Sequence, residues 1–87
     1  MAWTFSSHDE VIYEVEMDLA RALLFTKKDP TIENQIDELS ILIAREEEIV
    51  SAHVPKQSMG TQLVQERAML KAIYMRRLLS RMARLGH

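Results

Sequence analysis

The chain is punctuated at only two places. Asp29-Pro30 interrupts it about a third of the way along, and the stretch VPKQSMG, residues 54–60, interrupts it again; the only other glycine is Gly86, one residue from the end. Between these breaks apolar residues recur at three- and four-residue spacing, and strand-like alternation is missing, so each uninterrupted segment predicts a helix. The expected fold is all-α, a single domain over residues 1–87. It is a three-helix bundle with helices at about 7–28, 30–53 and 61–85, the second and third forming a long antiparallel hairpin.

In the first helix, Ser7 and Glu10 stand at capping-box spacing, and Lys27 and Lys28 suit a helix C-terminus. Val11, Val15, Leu19 and Leu23 form one apolar row, and Tyr13, Met17, Ala20 and Leu24 a second, so this helix has two faces to bury. Glu10, Glu14, Asp18 and Arg21 make a polar strip that reads as solvated, and Trp3 and Phe5, ahead of the helix, are expected to fold back on the bundle. Asp29 is placed to cap the second helix, with Pro30 preset for its first turn.

The second helix carries a narrow seam of Ile32, Ile36, Leu39, Ile43, Val50 and Val54, broken at Glu46. The third carries Arg67 and Lys71 on the arc of Val64, Met75, Leu78 and Met82, where apolar residues belong. Aligning the two seams pairs Val50 with Val64, Leu39 with Met75, Ile36 with Leu78 and Ile32 with Met82. The same register sets Glu46 beside Arg67, which predicts a structural pair between them, and lays the Lys71 stem along Ile43 with its ammonium in water. The third helix has a further apolar arc, Leu63, Met69, Leu70 and Ile73, displaced from its late one, and six methionines in the chain make such surfaces adaptable.

Charge is divided unevenly. Residues 1–48 hold twelve acids against four bases, net −8, whereas residues 49–87 hold Glu66 against seven bases, net +6. Arg76, Arg77, Arg81 and Arg84 cluster away from the late apolar stripe, where they could meet phosphates or a protein partner. Only Tyr74 lies near enough to stack on a base, and the acidic half repels a polyanion, so nucleic acid is possible but not favoured.

Eighty-seven residues without a cysteine make a small core with no covalent staple, which a partner would reinforce. No apolar run approaches the roughly 20 residues that span a bilayer, and MAWTFSSHDE lacks a secretory pattern, so the expectation is an intracellular protein, cytoplasmic or nuclear, with no membrane contact. His8, His53 and His87 are too scattered to ligate a metal, no nucleophile elbow or phosphate loop occurs, and no cofactor is implied.

Two family resemblances follow from particular stretches. RALLFTKKDPTIENQIDEL and QERAMLKAIYMRRLLSRM resemble segments of the helical A-domain of GINS replication-complex subunits, the latter through Glu66, Arg67, Tyr74, Arg76, Arg77, Leu78 and Met82. That likeness implies a subunit of a larger assembly, although the family's small β-rich domain has no room here. GTQLVQERAM and the terminal RLGH resemble small AroQ-type chorismate mutases. That likeness implies substrate contacts from Arg45, Lys56, Thr61, Val64 and Arg67, with Lys71 a further cation, but Ala68 stands where the family has a glutamate and Pro30 breaks its long first helix.

The function expected first is a non-catalytic helical interaction module. Its partner, a protein or a second copy, would be met by Leu63, Met69, Leu70, Ile73 and the arginines at 76, 77, 81 and 84. A chorismate mutase-like enzyme is the alternative.

Overall fold

A computed structural model describes residues 3–52 and 59–86, with side chains from His8 onward. Its elements are α1 (Trp3–Thr26), α2 (Ile32–Ser51) and α3 (Met59–Leu85), and no strand occurs among the described residues. The all-α architecture is as expected, with α2 and α3 packed most extensively and α1 against both. No described helix is long and apolar enough to cross a membrane.

The helix boundaries differ from expectation in instructive ways. α1 begins at Trp3, so Trp3 and Phe5 are part of the helix and Ser7 is not its cap. At its other end Lys27 adopts a left-handed conformation, φ 58°. The Lys27 N–H donates to the Leu24 carbonyl (3.2 Å) and the Lys28 N–H to the Leu23 carbonyl (3.0 Å), a Schellman closure without its usual glycine. An L-residue in this conformation is strained by roughly 1–2 kcal/mol. Lys27→Gly is therefore expected to exceed Lys27→Ala in stability by about 1 kcal/mol in urea unfolding, both variants having lost the charge.

The cap of α2 is Thr31, not Asp29: the Thr31 hydroxyl accepts from the Asn34 N–H at 3.2 Å. Pro30 lies just outside the helix, and side-chain amides hold the turn in place, Asn34 donating to the Asp29 carbonyl (3.0 Å) and Gln35 to the Pro30 carbonyl (2.8 Å). Beside this turn Lys28 pairs with Glu38 at 2.9 Å, and Glu38 is only 4% exposed. Closing the loop thus brings a cation to a buried carboxylate that would otherwise be costly to desolvate.

The core is built from the expected row of α1, Val11, Val15, Leu19 and Leu23, with Leu39 and Ile43 of α2 and Met75 of α3. Ala68 and Ala72 are also buried, and their small side chains leave room for a close helix approach. Leu39 and Met75, aligned by the expected register, are both fully buried, and the Gln65 side-chain amide donates to the Ile49 carbonyl near the other end of the hairpin. Ile32 reaches Gly86, 3.6 Å from where a Cβ would stand, one turn beyond Met82, and Val50 and Val64 are exposed. Among the described residues of the α2 seam, Leu39 and Ile43 are buried. The expected loop falls largely outside the described residues.

Candidate functional site

Arg67 and Lys71, the polar residues on the apolar arc of α3, meet α1. Arg67 donates through Nε to Glu14 Oε2 at 3.1 Å and through its terminal nitrogen to Glu14 Oε1, a two-pronged contact. Lys71, one turn later, reaches Glu14 at 3.1 Å and Asp18 at 3.3 Å. The pair expected between Glu46 and Arg67 does not form. The physical reason is that the strip of α1 read as solvated faces α3, so that carboxylates of a third helix take up the cations that hairpin alignment assigned to α2. For the same reason the Lys71 ammonium is not simply in water; its side chain is mostly buried between two carboxylates.

The electrostatics follow from these contacts. The Arg67 hydrogen bond holds the Glu14 carboxyl below its ordinary range against the opposing pull of burial. Burial disfavours the Lys71 ammonium, but its hydrogen bonds and the charges of Glu14 and Asp18 outweigh that and raise it. Glu46, on α2, faces the same cluster and forms no ion pair among the described residues. Desolvation pushes its carboxyl up, with Lys71 opposing and the Asp18 and Glu14 charges reinforcing the rise.

A carboxyl raised in the folded state binds its proton more tightly there than in the unfolded chain, so its ionisation at neutral pH disfavours the fold. Glu46→Gln is therefore expected to raise the melting temperature at pH 7. The advantage should shrink as the pH falls through the folded-state value towards the ordinary glutamate range. Thermal melts of both chains across this range check the sign.

An open groove runs beside this cluster, lined by Glu10, Tyr13, Glu14, Met17, Asp18, Arg21 and Lys71. Of the cations expected to contact a dicarboxylate, Arg67 and Lys71 come together, but onto protein carboxylates. Arg45 is exposed on α2, Val64 is exposed, Thr61 is half-buried, and Lys56 lies outside the described residues. Among the described residues no group of three His, Asp or Glu side chains is arranged to hold a metal ion.

The proposed partner surface is divided. Leu70 is half-buried against the core, whereas Leu63, Met69 and Ile73 are 50%, 47% and 40% exposed. Met69, Ala72 and Ile73 form a second groove with Val50 and Ser51, along which Arg76 pairs with Glu47. Arg77 lies over the Tyr74 ring, 5.5 Å from its centre, and the Tyr74 hydroxyl is 2.7 Å from His8 Nδ1. All four arginines are exposed, and of them Arg76 alone forms an ion pair among the described residues.

Compared with known proteins, the chain matches no protein family, no curated protein and no solved structure.

Proposed function

We propose that this protein is a non-catalytic helical assembly module, one that holds protein chains together, copies of itself included. The observation that carries this reading is the exposure of Leu63, Met69 and Ile73 on a helix whose other side is already covered by α1 and α2. Apolar side chains at helical spacing beside a groove are a contact surface in search of a partner helix. The Arg76–Glu47 pair at the groove supplies polar groups that can exchange partners when a second chain docks.

The chorismate mutase-like reading has less support. A dicarboxylate needs several unneutralised cations converging in a dry pocket, and here Arg67 and Lys71 are held by Glu14 and Asp18 beside an open groove whose carboxylates outnumber its cations. Nucleic-acid binding likewise rests on few free cations, because Arg76 and Arg77 have partners on the chain's own surface.

The paired substitution Met69→Glu and Ile73→Glu tests the assembly reading. It is expected to lower the mass measured by light scattering while helical content by circular dichroism stays near that of the parent, since both positions are exposed. Unfolding at unchanged monomeric mass would make them ordinary core, and consumption of chorismate by the parent would favour the enzyme instead.

A further inference from the structure

The second apolar row of α1 remains outside the core. Tyr13 is 63% and Leu24 80% exposed, Ala20 is exposed and Met17 half-buried, on the opposite side of the helix from Val11, Val15 and Leu19. Their spacing of four, three and four residues is that of a helix-pairing seam.

We propose that a second copy of this chain docks antiparallel on this row, across a two-fold axis passing beside the middle of α1, between Asp18 and Leu19. Charge selects both the occupant and its direction. The first half of α1 is acidic, with Asp9, Glu10, Glu14 and Glu16, whereas Arg21 in its second half and Lys27 just past its last residue are basic. Asp9, Glu10, Glu16, Arg21 and Lys27 form no ion pair among the described residues, so these charges are available to another chain.

An antiparallel register that opposes Tyr13 to Leu24 of the second copy, and Met17 to its Ala20, fits large residues against smaller ones. It also brings Arg21 to the acidic Glu10–Glu14 turn of the other helix and Lys27 to its Asp9. A parallel pair would instead lay acidic half on acidic half. The surface is thus complementary to itself, and the two-fold axis makes every contact twice, so that this interface joins two chains and no more. This interface is separate from the α3 groove, so it extends the assembly reading above while resting on different residues.

The chain has no cysteine, which makes disulfide trapping unambiguous. Tyr13→Cys, Leu24→Cys and the double variant are oxidised and run on a non-reducing gel, alongside light scattering of the parent. In the proposed register, position 13 of one copy faces position 24 of the other. Identical positions then lie about 16 Å apart by helix rise, beyond the roughly 7 Å limit of a disulfide.

The double variant is expected to run as a covalent dimer of twice 10.1 kDa, and each single variant as a monomer. Covalent dimers from both single variants would mean a parallel pair and overturn the proposal. Absence of any crosslink with a parent heavier than 10.1 kDa would overturn this interface and leave assembly through the α3 groove standing. A parent at 10.1 kDa would remove both.

Discussion

Replacing Lys71 with methionine is expected to cost about 2 kcal/mol at neutral pH, less than the 3–5 kcal/mol typical of a fully buried broken pair because the site is partly open to water. Lys71 stands between Glu14 and Asp18, and Glu46 faces the same cluster from α2. Without its ammonium, three carboxylates from two helices repel one another with only Arg67 to offset them. Because Lys71 is raised in the fold, its contribution is fully present below the ordinary lysine range and is lost only as the pH rises through the folded-state value. On the acid side the deficit should narrow as the carboxylates protonate, towards a pH of about 4. Urea unfolding of parent and variant at both pH values measures this. A pH-independent deficit would mean that Lys71 contributes by packing alone.

Met75→Ala is expected to be the most damaging single change, at about 3 kcal/mol. Met75 is 0% exposed and sits in the cluster formed by the α1 row with Leu39 and Ile43, so its truncation opens a cavity bounded by all three helices. An 87-residue domain commands on the order of 4–13 kcal/mol in total, and a loss of that size is a large share of it. Met69→Ala, on the exposed groove, serves as the control and should stay within about 0.5 kcal/mol in the dilute protein. Equal losses at the two positions would contradict the division of the methionines into core and surface.

The residues that were legible beforehand are those whose environment is set by their own helix. Val11, Val15, Leu19 and Leu23 repeat at the helical period, and their burial follows from that pattern without knowledge of a neighbour. Glu14 and Asp18 repeat equally well, but a charged row looks the same whether it faces water or a cationic helix. Its partner is decided by which flank of the hairpin α1 covers, a non-local fact. Aligning the breaks in α2 and α3 assumed that two helices settle the matter, and the third supplied the counter-charges instead.

Local competition explains the α2 cap. Asp29 and Thr31 both have capping oxygens, and the choice fell to Thr31 in a turn where Asn34 and Gln35 hold the two preceding carbonyls. The burial of Glu38 is not visible in its own helix, because it depends on the α1–α2 turn bringing Lys28 to it. Ala68 and Ala72 were missed because small residues carry little hydrophobic signal even where close packing needs them.

With Arg67 and Lys71 neutralised by Glu14 and Asp18, function is expected to belong to the apolar rows left outside the core. The mass of the unaltered protein in solution, followed by light scattering from micromolar to millimolar concentration, tests this most directly. The prediction is a species at a multiple of 10.1 kDa, with twice that value specifically expected from the α1 seam. A chain that stays at 10.1 kDa across the whole range, its Leu24 and Met69 rows left in water, would contradict it.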